Sequence, residues 1–343
     1  MKKEIYERFI QDKVITDCAI ISKDEMAFIT KEMPKSESDY RPIEDRESCV
    51  LLYSTKRWKE RDGFGYVSWG SGIEFLKVAY DNLTDEDICC DSIWNGYQTK
   101  IKNNKFSPVL PKEKQDDYTR GSEGVVYIDG EAYMYGILRK VFKRVGIHKW
   151  IDITDQKIHS NLFDELKKMK DEIGSYKLAQ VGFYAMDGFN ANDIYAGGEK
   201  GDMWHYNGAK WSRVDLPSNF NIHTITCAED GKVYIAGYTG GVLIGRDSKW
   251  KLIENKGGKI FSSSAWFNGI LYLSGDSGLH YIDGDMVKKY KFSKNSPSIY
   301  SFETGVVSSC KDRLLVCSTQ QALIFDGKVW NEIIGNPVLS GNI

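Results

Sequence analysis

Between residues 192 and 216 the chain reads NDIYAGGEKGDMWHYNGAKWSRVDL, and its apolar positions alternate with polar ones in three short runs. Period-2 alternation over four to six residues is the mark of a half-buried strand. The pattern predicts strands at 194–196, 203–206 and 211–216. Gly197-Gly198 leads out of the first, and Asn207-Gly208 turns the second into the third. Asn-Gly between two alternating runs is a strong hairpin signal, because such turns favour positive φ.

The same phrase returns three times. Residues from 232 read KVYIAGYTGGVLIGRDSKWKLIE, those from 270 read ILYLSGDSGLHYIDGDMVKKYKF, and those from 314 read LLVCSTQQALIFDGKVWNEII. Aligned on Tyr195, Tyr234, Tyr272 and Val316, the phrases recur about every 40 residues, the period of a β-propeller blade. A helical solenoid of that period would need helical periodicity, which is missing. A β-sandwich with similar hairpins is the competing all-β architecture. The repeat predicts a single all-β domain over 1–343, a propeller of seven four-stranded blades. Their limits fall at about 17–62, 66–110, 121–155, 177–217, 221–255, 260–293 and 300–336. The first two match the repeat weakly, so six or eight blades stay open. In the third blade Asp129-Gly130 joins the first two strands, Tyr133 matches the later tyrosines, and Trp150 matches Trp211, Trp250 and Trp330 at the start of the last strand. Ile5, Phe9 and Ile10 suit a brief helix or an outer strand that completes the last blade.

The step from Tyr133 to Tyr195 is longer than one blade, and the surplus is visible as HSNLFDELKKMKDEIGS at 159–175. Leu162, Phe163, Leu166, Met169 and Ile173 recur at helical spacing, Ser160 or Asn161 can cap the start, and Gly174 can end it. The reading is a short inserted helix, packed on its own propeller or on a partner with Phe163 and Lys167 at the contact.

Composition narrows the function. With 46 basic and 48 acidic residues the formal net charge is −2, so no basic field favours nucleic acid. The seven cysteines, Cys18, Cys49, Cys89, Cys90, Cys227, Cys310 and Cys317, sit mostly among apolar strand residues and read as free thiols in a reducing compartment. The N-terminus MKKEIYERFIQDK lacks the apolar run of a signal peptide, and no stretch approaches 18 apolar residues. The expectation is a cytoplasmic protein that engages no membrane.

The histidines, His148, His159, His205, His223 and His280, are scattered over different blades and the insertion, with His205 and His280 each preceding a third-strand tyrosine. No phosphate loop, nucleophile elbow, zinc motif or dinucleotide fingerprint occurs. Asp129, Asp230, Asp283 and Asp326 each precede Gly, which a hairpin turn explains without calcium. No catalytic set, metal site or cofactor is expected. Function in such a scaffold falls to the loops between second and third strands, at 136–140, 197–202, 237–241, 275–278 and 318–321. They offer Arg139, Glu199, Lys200, Tyr238, Asp276 and Gln320, a mixture suited to protein recognition.

A strand ending in Gly, then an aromatic strand, an Asn/Asp-Gly turn and a Trp strand, as in YAGGEKGDMWHYNGAKW, resembles the β-propeller repeats of bacterial proteins. The tryptophan–aspartate signature and the regular diglycine of kelch repeats are missing. The resemblance implies a fold and carries no catalytic residue. The functional expectation is a non-enzymatic, protein-binding propeller, most concretely an immunity protein that binds and neutralises a cognate bacterial toxin. A lyase or glycan-active enzyme with its site in the funnel, and a carbohydrate-binding lectin, are the alternatives.

Overall fold

The structure is a computed structural model, and it describes residues 1–36, 39, 46–70, 76–81, 86–91, 97–100, 105–108, 122–146, 149–155, 158, 181–238, 241–253, 258–293, 296–297 and 305–337. The inserted segment 159–175, with Phe163 and Lys167, lies outside the described residues, as do His148 and His159. The chain divides into two compact units, Met1–Val78 with Ile260–Ile343, and Ala79–Lys259.

The first unit holds α1 (Lys3–Phe9) and three complete antiparallel blades of four strands in sequence order. One is β1 (Lys13–Ser22), β2 (Glu25–Glu32), β3 (Ser48–Ser54) and β4 (Phe64–Gly70). The others are β21 (Phe261–Phe267) to β24 (Met286–Lys289), with β22 (Ile270–Gly275) and β23 (Gly278–Asp283), and β25 (Val306–Cys310) to β28 (Trp330–Ile334), with β26 (Arg313–Cys317) and β27 (Ala322–Phe325). The second unit holds three more. They are β9 (Ser122–Ile128) to β12 (Lys149–Asp152), with β10 (Glu131–Gly136) and β11 (Val141–Gly146); β13 (Phe183–Asn190) to β16 (Trp211–Arg213), with β14 (Asp193–Gly198) and β15 (Met203–Tyr206); and β17 (Ile222–Cys227) to β20 (Lys249–Ile253), with β18 (Val233–Gly237) and β19 (Val242–Arg246).

Six blades are thus complete within one unit or the other, against the seven expected. The strands β5 (Leu76–Asp81), β6 (Glu86–Asp91), β7 (Tyr97–Lys100) and β8 (Lys105–Pro108) follow one another in a further four-stranded order. They begin across the boundary between the units, on the stretch that matched the repeat poorly. The first blade also differs from its expected limits. Trp58 opens no strand; it takes a left-handed φ of 50° ahead of a 3-10 turn at Lys59–Arg61, and Phe64–Gly70 supplies the fourth strand.

The repeat has a physical basis in each blade. The first strands face one another, with β13 against β9 and β17, and β25 against β21 and β1. Gly198, Gly237 and Gly275 end the second strands, and a Cβ on any of them would collide with the carbonyl oxygen of Gly182, Asn221 or Ile260, which precedes the first strand of the same blade. Glycine is needed there for close backbone approach. Trp211 is buried between blades and donates from Nε1 to Ile153 O at 3.1 Å; Trp330 donates to the Tyr290 hydroxyl at 3.0 Å. Each reaches the segment just after the last strand of the preceding blade. Trp250 donates to Asp247 O of its own blade at 2.9 Å and packs at the edge of the cluster with Tyr195 and Val233, and Trp150 packs with Ala132, Met134 and Phe142 of its own sheet.

Registers refine the alignment. Tyr133, Tyr195, Tyr234 and Tyr272 oppose Lys143, His205, Ile244 and Tyr281. In the last blade Leu315 opposes Ile324, directly before the Phe325–Trp330 pair, so Leu315 and not Val316 holds the tyrosine position. His280 opposes Leu273, one step out of phase with His205, so the two histidines are not equivalent. The Asn207 and Asp326 turns are also unlike the expected double-positive hairpin. Only Gly208 and Gly327 have positive φ, and the side chains of Asn207 and Asp326 each accept two backbone N–H groups of their own turn. Asp129-Gly130 does adopt the double-positive form, with φ of 49° and 80°.

Each terminal blade is built from consecutive strands, so among the described residues no strand exchange joins the ends. Instead α1 buries Ile5, Tyr6 and Phe9, with Ile10 beyond its end, against side chains of both the first blade and the last, including Leu51, Leu315 and Ile333.

Candidate partner-binding face

The second-to-third-strand loops carry most of the residues the sequence singled out. The structure gives those residues two kinds of role.

Arg139 is 3% exposed. It and Leu138 both sit in the left-handed region, φ 56° and 55°, a conformation that costs non-glycine residues stability. The surroundings hold it: Leu138 N donates to Val181 O at 2.6 Å, and Arg139 Nε donates to Asp202 Oδ2 at 2.6 Å. Asp202 Oδ1 accepts from Trp204 Nε1 at 2.9 Å, and the guanidinium lies 5.4 Å from the Trp204 ring centre. Arg139 therefore ties the β9–β12 blade to the β13–β16 blade and is not presented to solvent.

Gln320 is also a tie. Its Nε2 donates to the carbonyls of Ile10, Gln11 and Lys13, at 3.1, 2.7 and 3.2 Å, and Ile15 N donates to Thr319 O at 2.7 Å. The amide caps carbonyls just past the end of α1, of which Ile10 O also accepts from Lys13 N at 3.0 Å. Asp276 is exposed and accepts from Ile260 N at 3.3 Å.

Glu199, Lys200 and Tyr238 come together in the second unit. Lys200 takes φ 53° in a 3-10 turn, where its N–H donates to Asn221 Oδ1 at 2.9 Å and Gly201 N donates to Phe220 O at 2.9 Å. Lys200 is exposed on a loop anchored by these bonds. Tyr238 is 41% exposed, and its N–H donates to Asn221 O at 3.1 Å. Between them lie two residues that sequence reasoning passed over for this face. Tyr184 and His223 stand near the starts of β13 and β17, the His223 ring stacks on Tyr184 at 5.5 Å, and Tyr238 meets it edge-on at 4.3 Å. Tyr184 also hydrogen-bonds Glu199. Burial, followed by the charges of Glu199 and Glu123, pushes its hydroxyl pKa well above the ordinary tyrosine value. Burial lowers the His223 pKa. No motif marks these two, but both follow by one residue the large apolar residue that opens a first strand, Phe183 or Ile222.

At the opposite ends of these strands is the one described histidine–carboxylate contact. His205 Nε2 lies 2.8 Å from Asp193 Oδ1, with the imidazole stacked on Tyr195 at 4.5 Å. Asp193 Oδ2 pairs with Arg246 of the next blade. Glu131 and Lys143 occupy the same register positions one blade earlier. Lys143 Nζ is 2.7 Å from Glu131 Oε2, which also accepts from Tyr133 at 3.1 Å. The His205–Asp193 pair repeats a structural ion pair beneath a buried tyrosine.

In the first unit a cavity of about 660 Å³ is lined by α1 and the β2–β3 connection. Arg8 on its wall is layered on Phe9 and Tyr66 and donates to the Tyr66 hydroxyl at 2.9 Å, while Lys13 pairs with Glu47 at 3.6 Å and Lys35 with Glu32 at 3.3 Å.

The four-stranded blades define the protein as a β-propeller. The WD40 β-propeller domain of Doa1 matches with a TM-score of 0.60 over 93% of this chain and 96% of that one, at 10% identity. YCF48 bound to D1 peptide matches with a TM-score of 0.58 over 90% of each chain, at 11% identity. Likeness at such identity is one of fold. No family model matches. In sequence the chain is similar to the immune protein Tsi7 of Pseudomonas aeruginosa, 32% identical over 211 residues, 61% of this chain and 63% of that protein. The match therefore spans less than two thirds of Tsi7. No described helix is long and apolar enough to cross a membrane.

Proposed function

We propose that this protein is a non-enzymatic immunity protein that binds a cognate bacterial toxin in the cytoplasm and blocks its action. The observation that carries the reading is the 32% identity to an immune protein over 211 residues, far above the 10% at which unrelated functions share this fold. Two features of the molecule support it. The Glu199, Lys200 and Tyr238 loop face is held by backbone hydrogen bonds before any partner arrives, which lowers the entropic cost of binding. It also places tyrosines among charged residues, the composition of a protein-binding centre. The His205–Asp193 pair is read as structural, since a Lys–Glu pair stands at the same register positions one blade earlier.

The test is co-expression with candidate toxins from its host. Immunity predicts that growth arrested by the toxin alone is restored, and that the two proteins elute together at a fixed ratio. Growth that stays arrested with both proteins expressed and folded rejects the reading.

A further inference from the structure

The loop face in the second unit has a particular chemistry. Three rings run in sequence from the buried strand starts to solvent: Tyr184 stacks on His223 at 5.5 Å and 25°, and His223 meets Tyr238 at 4.3 Å and 84°. The outermost ring is 41% exposed. At the inner end Tyr184 is hydrogen-bonded to the Glu199 carboxylate, and Glu123 adds a second negative charge close enough to act on the same hydroxyl. The charged neighbours on the loop are Lys200, which is exposed, and Arg139 with Asp202, which neutralise one another at 2.6 Å. Tyrosine faces carry negative charge density, and an imidazole kept neutral by burial adds no cation to oppose it. Rings with two carboxylates beside them suit a cation.

We propose that Tyr184, His223 and Tyr238, with Glu199 beside them, receive a basic side chain, arginine or lysine, presented by the partner protein. The cation lies against the exposed Tyr238 ring, and the Glu199 carboxylate bonded to Tyr184 attracts it from the inner end of the ring series. The inference deepens the immunity reading, and rests on it only for who the partner is.

The first test needs no toxin. The ring resonances of His223 and Tyr238 are followed by NMR during titration with N-acetyl-argininamide, and separately with N-acetyl-glutamate methylamide. The arginine compound should give saturable shifts confined to these rings, the glutamate compound none, and Glu199→Gln should weaken the arginine effect about 5-fold or more. Arginine titration that leaves both rings unmoved, or moves them equally in wild type and Glu199→Gln, overturns the proposal. With the co-expressed toxin in hand, Tyr238→Ala should weaken binding at least 10-fold and Glu199→Gln about 5-fold, a 10-fold change being about 1.4 kcal/mol. Toxin bound equally by wild type and both variants overturns the cation site and leaves immunity standing. Binding lost in Lys200→Ala but kept in Glu199→Gln assigns the face to an acidic partner and also overturns it. Arginine shifts with no toxin binding in the wild type would keep the site and reject the immunity reading.

Discussion

His205 and Asp193, 2.8 Å apart, stand where Lys143 and Glu131 stand one blade earlier, each pair beside a buried second-strand tyrosine. The relationship explains a histidine–carboxylate contact without catalysis, and it can be checked. His205→Lys should leave the melting temperature nearly unchanged, because the lysine at the equivalent position already fits. Asp193→Ala should destabilise by about 1–3 kcal/mol, since both His205 and Arg246 lose an acceptor. Thermal unfolding of the two variants decides it. Equal losses would show that His205 is held for some other reason.

The tryptophans should separate by their contacts. Trp211, 2% exposed, fills the space against Ile128, Tyr133 and Val141 of the neighbouring blade, so Trp211→Ala should cost about 3–5 kcal/mol. Trp250 is half-buried and bonded within its own turn, so its replacement should cost clearly less. Denaturant unfolding that finds the two equal would contradict the inter-blade role of Trp211.

Gln320 should act on the fold and spare recognition. Gln320→Ala removes the amide shared by three carbonyls beyond α1, and a loss of about 1–3 kcal/mol is expected. Hydrogen exchange should speed up in α1, while partner affinity stays unchanged. Slow exchange there in the variant would contradict the clamp.

Asp187 gives a pH dependence with a definite sign. It lies on β13 and accepts from Gly188 N and from Cys227 N of β17, both at 2.8 Å; desolvation outweighs these bonds and raises its pKa from 3.8 to about 7. A group whose folded pKa is raised contributes stability that is fully present below the unfolded value and is lost as pH rises through the folded one. The Asp187 contribution therefore fades between about pH 4 and 7. His223 works the other way: its lowered pKa favours the neutral folded form, so its contribution is lost as pH falls below the ordinary histidine value. Comparing melting temperatures of wild type and Asp187→Asn at pH 5 and pH 8 isolates Asp187. The wild type should lose more than the variant on going to pH 8, and identical losses would contradict the assignment.

Much of the fold was legible because each blade must solve the same packing problem. Gly237 and Gly275 recur because a backbone carbonyl occupies the space of a Cβ, and Trp211 and Trp330 recur because each reaches the segment after the preceding blade. What alternation could not reveal was three-dimensional pairing. Arg139 reads as an exposed loop cation until Asp202, 63 positions away, is brought beside it. Gln320 reads as a polar tip until the first helix, at the other end of the chain, is laid against it. The slip from Leu315 to Val316 has the same origin, since the last blade has no tyrosine to fix the alignment and only the ladder does so. Tyr184 is not singled out by the sequence, and His223 reads only as a scattered histidine, because strand starts carry no motif that places them on this face.

Binding is the central claim, and isothermal titration of the purified protein with the toxin it protects against in co-expression tests that claim most directly. The account predicts saturable binding at one fixed ratio with a Kd in the nanomolar range, on the order of −12 kcal/mol, weakened at least 10-fold by Tyr238→Ala. Absence of binding at concentrations of tens of micromolar, with both proteins folded, would contradict it.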